Sequence, residues 1–346
     1  MYVSSSAPGD PADVGRVRLI CSGKRLTDRN HPRTALHPPV PSGYWEATQV
    51  RLCRADARPS PAPEATRRLR LNLGIRSAIG AAWRPYSSVG ALQAGLVPSG
   101  QLTGVIVVLA DGDVRDALVV VAHPDDVDFW AGGTVACWTS AGTAVTYGVL
   151  SDGDSGGFDP QVPRSAIPGI RQAEQKTAAA VLGVSDVRFL GYPDGCIEPT
   201  YALRRDITRL IRQVRPTRLL TWSPEWSWRR FDRNHPDHRA AGEAALSAVF
   251  PDARNPFAHP ELLNEEGLEP WEVGEVWLMG GPSPNYFVDI TNLFDRKIAA
   301  LRAHESQTAH RDRLQEEMRE RLAPNNQAAG LPADRLVEAF QVFTIT

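Results

Sequence analysis

The sequence predicts an α/β fold, in which a Rossmann-like, mostly parallel sheet carries helices on both faces over residues 115–346. From Ala117 onward, short apolar runs of strand length alternate with longer segments of helical periodicity, as βαβ units require. The first run, ALVVVA at 117–122, is apolar throughout, which is typical of a parallel strand covered on both faces. We therefore expect functional groups just after the strands, outside their carboxyl ends.

The predicted elements follow one another along this part of the chain. After the first strand, a helix is predicted over 129–140 and a second strand over 144–150. A later helix has its apolar residues on one face, and these are Leu203, Ile207, Leu210, Ile211 and Val214. The remaining predicted strands span 187–190, 218–222, 275–279 and 287–290, and the remaining helices 170–182, 238–249 and 292–304.

The first 114 residues differ in composition from the rest. The first 65 residues contain 9 prolines, and residues 1–90 contain 14 basic side chains against 6 acidic ones. We predict a Pro- and Arg-rich disordered extension over 1–114. A nucleic-acid-binding arm and a small folded domain are less favoured, because aromatic residues are sparse and apolar residues do not recur at a usable spacing. No Met lies between Met1 and Met279, so a translation start near 100–115 is a further hypothesis.

Composition argues against several classes of protein. The net charge of the 346 residues is −2, which gives no general reason to expect nucleic acid or a membrane surface as a partner. No apolar run reaches the length of about 18 residues that a membrane span needs, and the N-terminus lacks an apolar signal segment. The four cysteines are scattered without a C-x-x-C pair, which argues against a disulfide framework or a cysteine-rich zinc site and predicts a cytoplasmic protein. Homo-oligomerisation is left open.

Two polar clusters follow predicted strands, HPDD at 123–126 and HPDH at 235–238. Because the carboxyl ends of parallel strands share one edge of a sheet, we expect the two clusters to meet. Catalytic zinc takes three His or carboxylate ligands and keeps one position for water. We predict that His123, Asp126 and His238 bind one Zn²⁺, or Fe²⁺ on the same ligands, and that Asp125 is left as a base. Taken singly, each cluster has a structural explanation, since Asp126 can cap a helix and Pro236 can begin one.

The segment VVVAHPDD at 119–126 resembles the signature of the LmbE/PIG-L family of zinc-dependent N-deacetylases. This family includes the deacetylases of N-acetylglucosaminyl-phosphatidylinositol and of the mycothiol precursor. The resemblance covers roughly residues 115–346. Its other motifs are SDGDSGG at 151–157, Arg171 with Glu174, LGYPDG at 190–195, NHPDH at 234–238 and AHESQ at 303–307.

The resemblance implies an activity and further site residues. It implies a hydrolase that uses a metal-activated water to remove an N-acetyl group from an amino-sugar-type small molecule. His123, Asp126 and His238 correspond to the metal ligands, Asp125 to the general base and His235 to a group that stabilises the oxyanion. Arg171 and Asp194 correspond to positions that contact sugar hydroxyls. An amidase for a bulkier N-acyl or thiol conjugate, and a non-catalytic metal- or sugar-binding module, remain the alternatives.

The chain departs from the family pattern at positions that shape the pocket. Many members have Glu directly after HPDD, where this chain has Val127 followed by Asp128, and Trp130 stands near an expected Gly. Arg233 stands where some sugar deacetylases have Tyr. We predict that Arg233 contacts the substrate and, with Arg229 and Arg230, favours an anionic one, a solvated loop being the alternative. For His304, capping of a helix end is favoured over an approach to the site.

Overall fold

The computed structural model describes residues 49–52 and 108–345. Most of the extension predicted over 1–114 lies outside these residues, so the prediction of disorder is not addressed there. Two parts of it are described, a short strand at 49–52 and the segment 108–114, where Asp111 and Val114 are buried. Asp111 accepts a hydrogen bond of 2.8 Å from the buried Arg218, which also donates to Glu275 at 2.9 Å. Packed structure therefore begins before residue 115.

The described residues form one eight-stranded sheet in the order β1-β7-β8-β6-β5-β2-β3-β4. All neighbouring strands are parallel except β8, which is antiparallel to β6 and β7. The strands are β1 (Gln49–Leu52), β2 (Asp116–Val121), β3 (Ala144–Ser151), β4 (Asp186–Tyr192), β5 (Arg218–Trp222), β6 (Glu275–Met279), β7 (Tyr286–Asp289) and β8 (Val337–Thr344). The mostly parallel sheet confirms the predicted fold class, and β2, the strand with the continuous apolar run, lies between β3 and β5.

The helices form two groups around this sheet. The α-helices of the described residues are α1 (Asp126–Trp130), α2 (Gly132–Ser140), α3 (Ile167–Val181), α4 (Tyr201–Val214), α5 (Pro236–Ser247), α6 (Pro260–Asn264), α7 (Phe294–Arg302), α8 (Glu305–Thr308) and α9 (Leu314–Ala329). Helices α2 and α3 pack against α7, whereas α4 and α5 pack against each other and against β2. No helix of the described residues is long and apolar enough to cross a membrane.

Several predicted elements need correction in detail. The single helix predicted over 129–140 is two helices, because the backbone at Ala131 leaves the helical region (φ −137°, ψ 7°). Strand β8 and helix α9 were not predicted at all. Cys137 in α2 is disulfide-bonded.

A fully buried ion pair ties β8 and α7 to the strand–helix junction that follows β2. Lys297 Nζ lies 2.8 Å from Glu338 Oε1 and donates to the carbonyls of Asp128 and Phe129 in α1. Glu338 also accepts from the backbone amides of Gly133 and Thr134. A buried carboxylate that loses its counter-ion is strongly destabilising, so this pair holds the backbone next to the HPDD segment.

Replacement of Lys297 by Met is expected to lower the free energy of unfolding by about 3–5 kcal/mol, because Glu338 would stay buried without its partner. Urea denaturation measures this loss. Lys176→Met is the matched control, since Lys176 is exposed on α3 and surface changes alter stability by only about 0.5 kcal/mol. Equal unfolding free energies for the two variants would contradict the stabilising role of the Lys297–Glu338 ion pair.

Candidate active site

The two polar clusters meet at the carboxyl ends of β2 and β5, as the sequence predicts. His123 Nδ1 lies 3.2 Å from His238 Nε2, and His238 Nε2 lies 3.1 Å from Asp126 Oδ1. His123 Nδ1 also lies 3.8 Å from the other carboxylate oxygen of Asp126, Oδ2. Ligand atoms about 2.1 Å from a tetrahedral ion lie about 3.4 Å from one another. The three side chains therefore fit a single divalent cation in both spacing and chemistry.

Trp222, the last residue of β5, holds two of these three side chains in place. Its indole Nε1 donates to Asp126 Oδ2 at 2.9 Å. Its ring stacks on the His238 imidazole, with centroids 3.8 Å apart and planes within 7°. Asp126 also accepts from the backbone amide of His123 at 2.9 Å. The core residue at the end of a buried strand thus also orients the candidate ligands, as outer partners of metal ligands do.

The other edge of the His123 ring faces carboxylates. His123 Nε2 lies 3.1 Å from both Asp237 Oδ2 and Asp194 Oδ1, and Asp237 is fixed by the amides of Gly195 and Ile197. Burial alone would lower the pKa of His123, but hydrogen bonds to Asp126, Asp194 and Asp237 raise it to about 12. Such surroundings favour positive charge at this point. Asp237 has no role in the sequence prediction, although its place inside HPDH was the available signal.

These contacts define further combinations of ligands. His123, Asp194 and Asp237 lie close enough to hold a cation, and so do His123, His235 and His238. His123 belongs to every candidate set, because it lies between the two loops. Asp194 was predicted to contact sugar hydroxyls; in the structure its Oδ1 lies against His123 and its Oδ2 accepts from the amide of Ser155.

Asp125 occupies the turn between the ligand residues, with its backbone in the left-handed region (φ +83°, ψ −19°). Its amide donates to Gln175 Oε1 at 2.7 Å, and its Oδ2 accepts from Arg171 Nη2 at 3.2 Å. Burial raises the pKa of Asp125 to about 6, although the Arg171 guanidinium acts in the opposite direction. A carboxylate with this pKa is mostly ionised at neutral pH and is a stronger base than an ordinary Asp.

A buried chain of hydrogen bonds supports the Asp125 turn. Gln175 Nε2 donates to Asp128 Oδ2 at 3.0 Å, and His304 Nε2 lies 2.9 Å from the same oxygen. Neither the Asp128 nor the His304 side chain has exposed surface, so His304 does reach the back of the site, contrary to the favoured reading. Gln175 was missed, although it lies four residues after Arg171 on the same face of α3.

Arg171 is buried under the glycine-rich loop that follows β3. Besides Asp125, it donates to the carbonyls of Pro124 (2.7 Å) and Gly153 (3.1 Å). A Cβ at Gly153 or Gly156 would lie within 2.4 Å of Arg171 Nη1. The glycines of SDGDSGG therefore let the loop approach the guanidinium. Glu174 pairs with Ser306 rather than with Arg171.

Gly156→Ala is expected to lower kcat/KM about 10- to 100-fold, since the new Cβ would displace the guanidinium that positions Asp125 and small misplacements near a site are costly. Steady-state kinetics with any accepted substrate measures this. Gly169→Ala is the control, because a Cβ there meets nothing within 4 Å and Ala is the better residue inside a helix. Unchanged kinetics in Gly156→Ala would show that the loop does not act through Arg171.

His235 is a partly accessible ring at the N-cap of α5. Its Nδ1 accepts from the amide of Asp237 at 3.2 Å, which leaves the Nε2 atom to carry the proton of the neutral ring. Burial and the nearby His238 lower the pKa of His235. We therefore expect a neutral imidazole at neutral pH that donates through Nε2–H.

The candidate ligands open into a cavity of about 820 Å³. Asp125, Arg171, Asp194, Arg233 and His235 line it together with the three candidate metal ligands. The cavity thus contains every predicted site residue. Its size suits a small-molecule substrate.

Comparison with known proteins matches this arrangement to one family. The family model described as "PIG-L: GlcNAc-PI de-N-acetylase" matches residues 118–249, which contain both clusters. The diacetylchitobiose deacetylase of Thermococcus kodakarensis is 35% identical over 195 residues, covering 56% of this chain and 71% of the relative. A probable N-acetyl-alpha-D-glucosaminyl L-malate deacetylase 2 of Bacillus cereus is 35% identical over 203 residues, covering 56% and 84%.

A solved structure gives the same result. The N,N'-diacetylchitobiose deacetylase of Pyrococcus horikoshii superimposes with a TM-score of 0.62 at 28% identity, over 67% of this chain and 85% of that one. The family model spans both ligand clusters, and the 35% identity extends over more than two thirds of each curated relative. The chain therefore belongs to the PIG-L family of N-deacetylases.

Proposed function

We propose that the protein is a metal-dependent hydrolase that removes the N-acetyl group from an amino sugar or a conjugate of one. The observation that carries this proposal is the convergence of His123 Nδ1, the Asp126 carboxylate and His238 Nε2, with atoms 3.1–3.8 Å apart, beside the separate, partly buried carboxylate of Asp125. Zn²⁺ is the proposed ion, with Fe²⁺ an alternative on the same ligands. The similarity to deacetylases of N-acetylated sugars supports the reaction class.

The metal would be held by His123, Asp126 and His238. When bound, a divalent cation polarises the acyl carbonyl and makes the attacking water more acidic. The residues around the metal would accept and donate the protons of the reaction. Arg171 donates a hydrogen bond to Asp125 Oδ2. Asp125 Oδ1 would therefore be the atom that accepts a proton from the water.

The remaining steps use Asp125 and His235. The Nε2–H of His235 would stabilise the negative oxygen that develops on the acyl carbon, and a preorganised donor of this kind contributes substantially to catalysis. Asp125 would then pass its proton to the departing amine. Water and the amide thereby become acetate and a free amine.

The test is a screen of zinc-loaded protein against N,N'-diacetylchitobiose and N-acetylglucosamine conjugates of malate and inositol. We expect acetate and free amine in equal amounts, with activity lost on chelation and restored by zinc. Release of a larger acid from an N-acyl analogue alone would favour the bulkier-acyl amidase. No acid from any substrate, or release that survives complete metal removal, would contradict the proposal. The cytoplasmic location and homo-oligomerisation stay predictions.

A further inference from the structure

The segment between α7 and α8 contacts the Asp125 turn from the side away from the catalytic cavity. His304 lies in this segment, 176 residues after Asp128, and its Nε2 lies 2.9 Å from Asp128 Oδ2. Gln175 Nε2 donates to the same oxygen, and Gln175 Oε1 accepts from the Asp125 amide at 2.7 Å. His304 and Gln175 do not line the catalytic cavity. His304 therefore reaches the candidate base through two intervening side chains.

The contacts of Asp128 fix which way round the Gln175 amide lies. An ionised carboxylate only accepts hydrogen bonds, whereas a side-chain amide has a donating end and an accepting end. Asp128 thus holds the Nε2 end of Gln175, which turns Oε1 towards the Asp125 amide. A reversed Gln175 would place two donors against each other at this amide. Among the described residues, Asp128 Oδ1 has no hydrogen-bond partner, so the His304 contact is what keeps the carboxylate aimed at Gln175.

Burial makes this arrangement sensitive to the loss of one partner. Asp128, Gln175 and His304 have no exposed surface, so bulk water does not replace a missing donor, and an unpaired buried polar group is costly. Asp125 depends on the arrangement, because a residue other than glycine in the left-handed region persists only where surrounding contacts hold it. Removal of the His304 donor would consequently loosen the turn that carries the base.

A second contact from the same segment holds α3. The backbone amide and the hydroxyl of Ser306 donate to the two carboxylate oxygens of Glu174, each at 2.7 Å. Glu174 directly precedes Gln175. Residues 304–306 thus contact α1 through one side chain and α3 through another, which fixes the gap that Gln175 bridges.

We propose that His304 is a positioning residue for the reaction. Through Asp128 and Gln175 it holds the backbone of residue 125, and hence the Asp125 carboxylate, where it accepts the proton of the attacking water. This role rests on the proposed function and extends it to a residue outside the cavity. Loss of His304 would therefore slow the chemical step and leave substrate binding unchanged.

His304→Ala is expected to lower kcat about 10- to 100-fold with little change in KM, since small misplacements of a reacting group have effects of this size. His304→Leu, which fills the space but cannot donate, should behave alike. His304→Gln offers a donor near the position of Nε2 and should recover part of the loss. Steady-state kinetics measures all three. An unchanged kcat in both His304→Ala and His304→Leu overturns the positioning role.

His259→Ala is the matched control. His259 is also fully buried, its Nε2 lies 3.2 Å from Asp252 Oδ2, and it does not line the catalytic cavity. The change removes a buried His–Asp contact of the same kind, so it should cost stability but leave kcat near the wild-type value. An equal loss of kcat in His259→Ala and His304→Ala would show a general structural effect and overturn the positioning role.

A double-mutant cycle shows whether His304 acts through Asp125. Residues that act through one another have non-additive effects. In an Asp125→Asn background we therefore expect His304→Ala to lower kcat by a further factor of about 2 at most. Losses that multiply in full would place the action of His304 elsewhere and overturn the proposal.

Hydrogen exchange of the backbone amide of residue 125 separates this proposal from the proposed function, because it needs no turnover. We expect exchange to be about 10-fold faster in His304→Ala than in the wild type or in His259→Ala, since the acceptor Gln175 Oε1 is no longer held in place. If the wild type hydrolyses no N-acetyl substrate but exchange is faster in His304→Ala, the proposed function fails and the positioning of the turn stands. Equal exchange in the three proteins overturns the proposal.

Discussion

Replacement of Asp125 by Asn is expected to lower kcat about 10²- to 10⁴-fold, the usual contribution of a positioned general base. Asn has nearly the same shape and tolerates the left-handed backbone that this position adopts. The hydrogen bond from the backbone amide of residue 125 to Gln175 Oε1 would therefore remain. The candidate metal ligands would also stay in place. Asp125→Ala is a less clean change, because Ala in this conformation adds backbone strain.

Steady-state kinetics together with metal analysis decides the Asp125 prediction. Asp312→Asn is the control, since it makes the same chemical change at an exposed residue that does not line the cavity. We expect Asp125→Asn to retain the wild-type metal content while its turnover is lost. Turnover within a few-fold of the wild type would remove Asp125 from the role of base.

His238→Ala is expected to abolish tight zinc binding and to reduce kcat/KM at least about 10³-fold, because a three-ligand site would lose one ligand and the cation's catalytic effect is worth several kcal/mol. We also expect the variant to lose the stabilisation of its folded state by zinc. A ligand present at 100 times its Kd stabilises the folded state by about 2.7 kcal/mol, and the variant would no longer gain this from added zinc.

Elemental analysis and thermal denaturation with and without zinc test the His238 prediction. His310→Ala is the control, because His310 is exposed and lies outside the cavity. A His238→Ala protein that still holds one tightly bound zinc ion per chain would show that His238 is not a ligand.

The sequence predicted those parts of the fold that depend on local patterns. Strands β5 and β6 were predicted with the observed bounds, because each is a short run whose burial is uniform. Strand β8 was missed because it does not belong to a βαβ unit and its sequence mixes polar with apolar residues. It pairs antiparallel with β6 and β7. Helix α9 was missed because Pro324 lies inside it, and proline usually interrupts a helix.

In the candidate site, too, local sequence patterns predicted some residues, whereas others are brought in by contacts between distant parts of the chain. The HPDD and HPDH clusters were recognisable because each collects metal-binding side chains within four consecutive residues, in a segment between a strand and a helix. Gln175, Asp237 and His304 reach the site through contacts with residues distant in sequence, and local patterns gave only weak signals for them. The contact between Trp130 and Arg233 was equally hidden, although both positions stood out singly as departures from the family pattern.

Anomalous diffraction at the zinc edge from crystals of zinc-loaded protein tests the central claim most directly. We predict one strong peak per chain, within about 2.0–2.2 Å of His123 Nδ1, an Asp126 carboxylate oxygen and His238 Nε2. A peak between His123 Nε2, Asp194 and Asp237, another group of the described residues able to hold a cation, would contradict the account. The absence of any peak at the ends of β2 and β5 would contradict it as well.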